Sequence, residues 1–532
     1  MVSTSRRRAV RDLALCLSWA NLCYLRVWSE LLSYTEADLF TMVSEPARAD
    51  YVAALGGMTV LGLAAWAAVR LARRLPSRLL PWLRWVPVVA LLVPLNALRI
   101  VVSEQVPWLY GYLRQPVIGR ISIEGLWLSA GLLAVAGLAV VWRFRRSAPR
   151  WPVVTALISL PLLPVTTGQA LWRSAHSPTA VAASTQRPQV SGAHAEDRSG
   201  MRLVLVVFDE WDYRLSFEAR PAGIELTELD RWRRESLFAR RALPPASHTL
   251  TSVAALLTGM PVEQAQAIDR NDAVLTLAGG AGRVRWSETP SVFRDAVEDG
   301  ARVGIAGWAV PYCRLYGAYA SECAWWEMST RRISKGSGYG QILASHLRSM
   351  VETALLSPFG QSAAAQHHYR TWRAMLAEAT RLAADPTLRL VFVHLPVPHP
   401  PYVYDRARGR FDRANSLAEG YLDQLILVDY SVRELRVALE QANCWDRTAV
   451  LLTSDHSYRG APVLGLPLDP RVPFLVRLPR GVTGLEYRGP FTTTVTRKLA
   501  GAILRGEVSD VHQTALWLDR HASQSGGWSG AD

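Results

Sequence analysis

The stretch RLVLVVFDE at residues 202–210 is a run of Leu, Val and Phe that ends in two acids. Such a run is typical of a parallel β-strand that is covered on both of its faces. Two later stretches, LRLVFV at 388–393 and TAVLLT at 448–453, have the same form. Helical segments alternate with these strands, so we predict an α/β domain with a mainly parallel central sheet.

Acidic and histidine side chains follow each of these strands. The carboxyl ends of parallel strands meet at one edge of a sheet, so we expect these side chains to lie close together. Their oxygen and nitrogen atoms suit a divalent metal ion and metal-assisted ester transfer. Taken singly, each is also typical of a solvated turn, a capped loop or a core histidine, so the prediction rests on the combination. The residues concerned are Asp209, Glu210, His394, His399, Asp455 and His456.

A candidate nucleophile lies in SHTLTSVAALLTGMP, residues 247–261. The apolar run 253–257 predicts a helix that ends at Thr258-Gly259 and places Thr249 at or near the N-cap. One interpretation is a plain capping threonine. The other uses the free N–H groups of a helix N-terminus, which attract a phosphate or sulfate group. A metal ion at this point would also lower the pKa of the hydroxyl, and we therefore predict Thr249 as the nucleophile.

The first 172 residues contain several apolar runs of roughly the 20 residues needed to cross a bilayer. We predict an N-terminal α-helical membrane domain of about five helices over residues 1–172. The spans are predicted near residues 13–34, 51–71, 85–102, 125–142 and 152–172.

The charges that flank these runs predict their orientation. Arginine clusters precede the first run and lie between the second and third and between the fourth and fifth, whereas the loop after the first is acidic. Because arginine-rich loops stay in the cytoplasm, everything after residue 172 is predicted to lie outside. We therefore predict a multi-pass protein of the bacterial inner membrane with an extracytoplasmic catalytic domain.

Polar residues inside the predicted spans have two interpretations. They could line a groove for the phosphate of a lipid, or they could hold helices together and reach towards the membrane edge. The sequence does not decide between these roles for Arg26, Glu30, Asn96 and Arg99.

The remaining segments complete the predicted domain organisation. Residues 173–200 are rich in Ser, Ala and Pro and are predicted to form a flexible linker. A catalytic domain over 201–522 and a disordered tail over 523–532 follow. Because the predicted outer side is oxidising, we expect a disulfide between Cys313 and Cys323. Much of the net charge of +14 comes from membrane-flanking arginine, so we predict no nucleic-acid partner.

Four motifs in this order resemble the sulfatase-like branch of the alkaline phosphatase superfamily over roughly residues 201–480. They are VLVVFDE, SHTLTSVAALLTGMP, VHLPVPHPPY and LLTSDHSYRG. The N-terminal region resembles the anchors of membrane phosphoethanolamine transferases and lipoteichoic acid synthases. Sulfatases convert a Cys or Ser, nine residues before the closing Thr-Gly, to formylglycine. Thr249 stands at that place and cannot be converted, so the resemblance implies the phospho-threonine chemistry of the transferases.

The resemblance also implies roles for individual residues. One or two divalent metal ions are expected, with Zn²⁺ or Mn²⁺ favoured and Mg²⁺ or Ca²⁺ as further options. The implied catalytic residues are Thr249 and His399. The implied substrate contacts are His399, Arg471 and His394, of which His394 is expected to orient structure. The implied metal ligands are Asp209, Thr249, Asp455 and His456, with Glu210 as a further candidate.

The predicted function is a metal-dependent transferase. It would move a phospho-headgroup of the phosphoethanolamine or glycerol-phosphate type from a membrane lipid donor to an envelope glycan or lipid acceptor. One alternative is a metal-dependent phosphate or sulfate ester hydrolase of the sulfatase family. A second alternative is a non-catalytic envelope binding module.

Overall fold

The chain divides into two compact units in a computed structural model. One unit comprises Met1–Thr35, Ser44–Ala183 and Thr330–Gln361, and the other comprises Glu36–Val43, Ser184–Ser329 and Ser362–Asp532. The structure describes residues 2–42, 45–74, 85–105, 135, 139, 142–144, 146–177, 201–328, 338–355, 361–411, 417–479 and 483–521.

The second unit is an α/β domain built on an eight-stranded sheet, with two smaller sheets beside it. Its strands are β1 Arg202–Asp209, β2 Leu237–Ala239, β3 Ala242–Leu243, β4 Val262–Ala267, β5 Ala273–Leu277, β6 Arg283–Arg285, β7 Val303–Trp308, β8 Glu322–Trp326, β9 Leu390–Pro398, β10 Thr448–Ser454, β11 Phe474–Arg477, β12 Leu485–Tyr487 and β13 Phe491–Thr492.

The large sheet has the strand order β12-β2-β11-β10-β1-β9-β7-β8. The five strands from β10 to β8 are parallel to one another, and β11 runs antiparallel to both of its neighbours. The prediction of a mainly parallel central sheet is therefore confirmed. The three strands predicted from the apolar runs, β1, β9 and β10, lie side by side, so their carboxyl ends share one edge.

Strand β1 is buried on both faces, as its composition predicts. Leu203, Leu205 and Val207 belong to one apolar cluster. The alternate residues Val204 and Phe208 belong to the other, because side chains alternate across a strand. Helices cover both faces. They are Glu36–Thr41, Tyr213–Phe217, Thr227–Glu235, Thr249–Thr258, Val292–Glu298, Tyr312–Tyr316, Gln361–Ala384, Leu417–Gln441, Thr496–Leu504 and Val511–His521.

The first unit is helical throughout its described elements. Close packing there depends on glycine, because a Cβ atom at Gly62 would lie 2.6 Å from Leu17 Cδ2. Its helices are Val2–Cys23, Leu25–Leu32, Arg48–Ala72, Val86–Ala90, Leu92–Gln105, Trp151–Ile158, Leu162–His176 and Tyr339–Leu355.

The structure does not support five membrane-spanning helices. Among the described residues, helix Arg48–Ala72 is long and apolar enough to cross a membrane alone, and the pair Trp151–Ile158 and Leu162–His176, bent by 50°, meets the criterion together. The run predicted at 13–34 is broken near Tyr24 and carries charges, and the run at 85–102 forms two shorter helices. The run at 125–142 lies almost wholly outside the described residues.

Two segments depart from the predicted domain boundaries. Residues 36–43 belong to the α/β unit, where the Phe40 ring packs 6.1 Å from the Trp286 ring. Arg314 Nη2 donates a hydrogen bond to the Met42 carbonyl oxygen at 2.6 Å. Residues 330–361 belong instead to the helical unit. The predicted linker begins inside helix Leu162–His176, and its remainder from residue 178, like the predicted tail, lies outside the described residues.

Candidate active site

Three buried side chains meet at the shared edge of β1, β9 and β10. Asp209 ends β1, Asp455 follows β10, and His394 lies within β9 because that strand continues past the predicted end at residue 393. One carboxylate oxygen of each aspartate and one ring nitrogen of His394 lie within 4.8 Å of one another. The strand register thus brings together residues that are far apart in the sequence.

These side chains fit a divalent metal ion. Asp209 Oδ1, His394 Nε2 and Asp455 Oδ2 are buried and have no hydrogen-bond partner in the part of the chain that the structure describes. A buried polar atom without a partner costs about 1–3 kcal/mol, so three together indicate a ligand. A mixed oxygen and nitrogen donor set suits Zn²⁺ or Mn²⁺.

Thr249 and His456 complete this group of side chains. Thr249 Oγ1 donates a hydrogen bond to Asp209 Oδ2 at 3.3 Å and lies 3.3 Å from His456 Nε2. His456 Nε2 lies 3.4 Å from Asp455 Oδ2. His456 Nδ1 is 3.1 Å from the Ser457 carbonyl oxygen, so the N–H on Nδ1 leaves the Nε2 lone pair directed at the group. We call the five residues Asp209, Thr249, His394, Asp455 and His456 the edge cluster.

The helix that carries Thr249 explains its position. The helix begins at Thr249 itself, and His248 occupies the N-cap position in an extended conformation without a side-chain capping bond. Thr249 is therefore not a plain cap. Ser252 Oγ donates to the Asp455 carbonyl oxygen and ties the first turn to the end of β10. The helix ends as predicted at Thr258, because Gly259 adopts a left-handed conformation with φ of 67°.

Tyr312 orients His394 and was missed in the sequence. Its hydroxyl oxygen lies 2.8 Å from His394 Nδ1, and a donating Nδ1–H leaves the Nε2 lone pair facing the aspartates. The Tyr312 ring needs Gly307, because a Cβ atom there would lie 2.0 Å from Tyr312 Cδ2. The next residue, Cys313, forms a disulfide with Cys323 with Cα atoms 5.7 Å apart. The predicted disulfide pair therefore adjoins the residue that positions His394.

Glu210 does not join the edge cluster. Its Oε1 atom accepts a hydrogen bond from Arg459 Nε at 2.8 Å and lies 2.7 Å from Arg459 Nη2 in an ion pair. The structure thus places the Glu210 carboxylate in an ion pair with an arginine, and its role as a further metal ligand stays a prediction. Arg459 was not singled out in the sequence, although it stands only four residues after Asp455.

His399 lies beside the edge cluster rather than in it. Its ring packs 5.1 Å from the Trp308 ring, and its Nδ1 atom lies 2.5 Å from the Pro400 carbonyl oxygen. An N–H on Nδ1 leaves Nε2 to take up or release a proton. Burial lowers the pKa of His399, which the negative charges of Glu210 and Asp455 partly oppose.

Arg471 forms ion pairs with two acids that are not members of the edge cluster. Its Nη2 atom lies 2.7 Å from Asp469 Oδ2 and 2.8 Å from Glu218 Oε2. The guanidinium also stands 4.4 Å from the centroid of the Tyr213 ring. Both of its acidic partners lie outside the edge cluster, and the role of Arg471 as a substrate contact stays a prediction.

Burial governs the charges of the edge cluster. It raises the pKa of Asp209 well above its usual range, and the charges of Asp455 and Glu210 act in the same direction. Burial lowers the pKa of His394 to about 4, so that this imidazole is neutral at pH 7. Neutral imidazole is the form that binds metal ions, and a cation between the two carboxylates would relieve their repulsion.

Comparison with known families decides the type of domain. Residues 314–495 match the sulfatase family model. The α/β domain is therefore sulfatase-like. The matched residues include His394, His399, Asp455 and His456, whereas β1 and Thr249 precede them. No curated protein matches the chain.

Several solved structures are similar to the chain at low identity. Ps i-CgsB in complex with k-i-k-neocarrahexaose is 15% identical, with 59% of this chain and 74% of that chain covered and a TM-score of 0.40. The phosphonate monoester hydrolase of Agrobacterium radiobacter is 13% identical, with 57% and 77% covered and a TM-score of 0.35. The phosphonate monoester hydrolase from Silicibacter pomeroyi is 14% identical, with 62% and 78% covered and a TM-score of 0.39. At these values the likeness decides neither the substrate nor the reaction.

The family match and the geometry agree on the class of activity. A sulfatase-like domain with a buried cluster of aspartate and histidine, suited to a divalent metal ion, supports an enzyme of the sulfatase type that acts on esters.

Proposed function

We propose that the protein is a membrane-bound, metal-dependent transferase. It moves a phospho-headgroup of the phosphoethanolamine or glycerol-phosphate type from a lipid donor, through Thr249, to an envelope glycan or lipid. The observation that carries this proposal is the position of Thr249 Oγ1, 3.3 Å from both Asp209 Oδ2 and His456 Nε2 at the first residue of a helix. A threonine here favours direct attack, because it cannot become formylglycine.

The edge cluster would hold the metal ion through Asp209, His394, Asp455, His456 and the Thr249 oxygen. When bound, a divalent cation lowers the pKa of the attacking hydroxyl and stabilises negative charge on the phosphoryl oxygens. The N-terminal N–H groups of helix Thr249–Thr258 add positive potential at the same place.

In the first step, Thr249 Oγ1 bonds to the donor phosphorus and the ester bond to diacylglycerol breaks. The hydroxyl proton passes to Asp209 Oδ2, which already accepts the hydrogen bond from Thr249. His399, in its protonated form, supplies a proton from Nε2 to the departing diacylglycerol oxygen. In the second step His399 takes the proton of the acceptor hydroxyl, whose oxygen bonds to phosphorus while the bond to Thr249 breaks. The proton held by Asp209 returns to the Thr249 oxygen, which restores both groups.

Attachment to the bacterial inner membrane is part of the proposal. The described helices of the first unit expose large apolar side chains, which are typical of a surface that contacts lipid. The arginine distribution favours an extracytoplasmic catalytic domain, and the disulfide favours an oxidising compartment. The exposed apolar residues include Val60, Leu71, Leu95, Leu157, Ile158 and Leu171.

A metal-dependent hydrolase of phosphate or sulfate esters is the second candidate function. The match to the sulfatase family model favours it. Water would replace the acceptor hydroxyl, and the side chains would keep the same roles.

Acceptor dependence separates the two candidates. The detergent-purified protein would be incubated with a phosphatidylethanolamine carrying a labelled headgroup, with and without a hydroxylated glycolipid. The transferase predicts labelled glycolipid from the wild type and from Thr251→Ala, and none from Thr249→Ala. Release of free phospho-headgroup at the same rate with or without acceptor would contradict the transferase and support the hydrolase.

A further inference from the structure

Glu210 has a strained backbone beside the edge cluster. Its φ angle is 64°, a left-handed conformation that residues other than glycine seldom adopt. Two hydrogen bonds hold it there. The Glu210 N–H donates to Asp455 Oδ1 at 3.1 Å, and the Tyr421 hydroxyl donates to the Glu210 carbonyl oxygen at 2.7 Å. Strain held in this way next to a candidate site indicates a functional constraint.

The strain directs the Glu210 carboxylate to Arg459 instead of to the metal ligands. Glu210 Oε1 accepts a hydrogen bond from Arg459 Nε and forms an ion pair with Nη2. The Glu210 side chain is 6% exposed, whereas that of Arg459 is 46% exposed. A buried acid thus holds one side of a guanidinium whose remaining N–H groups reach a solvent-accessible surface.

Glu210 connects the ion pair with the edge cluster. Glu210 directly follows Asp209, and its N–H binds Asp455, so the ion pair adjoins two members of the edge cluster.

We propose that Arg459 binds an anionic oxygen of the substrate and that Glu210 positions it. This inference rests on the proposed function and names a substrate-binding residue of that site. The ligand class is a phosphate ester, whose non-bridging oxygens carry the charge. With one such oxygen facing the edge cluster, another accepts a hydrogen bond from the free N–H groups of Arg459.

Arginine suits this role better than lysine. Its planar group presents five N–H donors, enough to bind Glu210 through two and a phosphoryl oxygen through others. Because the Glu210–Arg459 pair is close to neutral, the contact depends on directed hydrogen bonds more than on net charge. A lysine at this position has a single nitrogen atom, so its contact with Glu210 would compete with its contact with the phosphoryl oxygen.

The test compares Arg459→Lys with Arg488→Lys. Arg488 is a matched control, since it also pairs with a glutamate, Glu486, at 3.3 Å, and its side chain is 80% exposed. The substrate is the chromogenic diester bis(p-nitrophenyl) phosphate, and inorganic phosphate serves as a competitive inhibitor. We expect Arg459→Lys to lower kcat/KM by about 10- to 100-fold and to raise the inhibition constant of phosphate, with unchanged metal content. Arg488→Lys should match the wild type.

A second variant, Glu210→Gln, tests the positioning role. The glutamine keeps an oxygen that accepts a hydrogen bond from Arg459. We therefore expect kcat/KM to fall less than in Arg459→Lys, with the metal content again unchanged.

Three outcomes would overturn the inference. An active wild type with an equally active Arg459→Lys variant would remove Arg459 from the substrate site while leaving the proposed function intact. Loss of metal in Arg459→Lys would show that the pair supports the edge cluster only. A wild-type protein that binds metal but neither turns over the diester nor forms an adduct on Thr249 would refute the proposed function itself.

Discussion

The edge cluster and the ion pairs around it differ in how their buried charges are satisfied. In the edge cluster, Asp209, His394 and Asp455 each keep a buried polar atom without a hydrogen-bond partner among the described residues. Around it, Glu210 pairs with Arg459, and Glu218 pairs with Arg471. Native proteins satisfy nearly all buried polar atoms, so three unsatisfied atoms on side chains that could together hold a metal ion indicate a ligand site. The sequence alone does not distinguish these two kinds of acid.

The largest expected effect lies in the edge cluster itself. Thr249→Ala should lower turnover by about 10³-fold or more, because it removes the attacking oxygen and leaves only binding and charge stabilisation. Turnover of a phosphodiester by purified protein measures the effect, with Thr251→Ala in the same helical turn as the control. Equal loss in both variants would point to a damaged helix and not to a lost nucleophile.

A smaller effect, on metal affinity, is expected at Tyr312, which contacts His394 of the edge cluster. Tyr312→Phe removes the hydroxyl that lies 2.8 Å from His394 Nδ1, and loss of such a support typically weakens metal binding by about 10- to 100-fold. Competition with a chelator measures the affinity. Tyr316→Phe is the control, because that hydroxyl accepts from Trp286 Nε1 at 2.6 Å instead. An unchanged metal affinity in Tyr312→Phe would contradict a role of His394 in the metal site.

His368, which is buried outside the edge cluster, is expected to make the stability of the folded protein depend on pH. Burial lowers its pKa to about 3, so the folded protein keeps it neutral while the unfolded chain protonates it below a pKa of about 6.5. Its contribution to stability is therefore present above pH 6.5 and is lost as the pH falls towards 3, by at most about 1.4 kcal/mol per pH unit.

Urea unfolding at pH 7 and pH 5 tests this expectation. His368→Gln should lose less stability between the two pH values than the wild type does. His512→Gln, at an exposed position of the last helix, should behave like the wild type. An identical pH dependence in His368→Gln would show that this histidine is protonated without cost in the folded protein.

The smallest effect on kcat/KM is expected at Arg471. Arg471→Lys should leave kcat/KM within about twofold of the wild type, because its guanidinium is engaged by Asp469 and Glu218. A kcat/KM reduced by tenfold or more would support Arg471 as a substrate contact and would place the Glu218–Arg471 ion pair inside the active site.

The sequence predicts the parts of the fold that depend on local pattern. Apolar runs identify β1, β9 and β10, and their shared edge brings Asp209, Asp455 and His456 together. The helix end at Thr258-Gly259 also follows from local signals. The role of Glu210 depends on one backbone angle and on Arg459, which lies some 250 residues away, so no local pattern reveals it. The contact between Tyr312 and His394 likewise depends on long-range packing, because the Tyr312 ring lies against Gly307.

The helical unit shows a different limit of sequence reasoning. Apolar composition predicts spans wherever a run is long enough, but breaks near Tyr24 and between Ala90 and Leu92 shorten the helices. Tertiary packing also assigns residues 330–361 to this unit, although they lie between strands of the α/β domain in the chain. Long-range packing of this kind leaves no periodic signal at the point where the chain changes unit.

The most direct test of the central claim is the mass of the peptide that carries Thr249 after incubation with phospholipid. The detergent-purified, metal-loaded protein would be quenched during turnover, digested and compared with Thr249→Ala. We predict a phospho-headgroup adduct on Thr249 of the wild type and none in the variant, and the mass of the adduct would identify the headgroup. An unmodified Thr249 in a protein that is turning over the lipid would contradict the account.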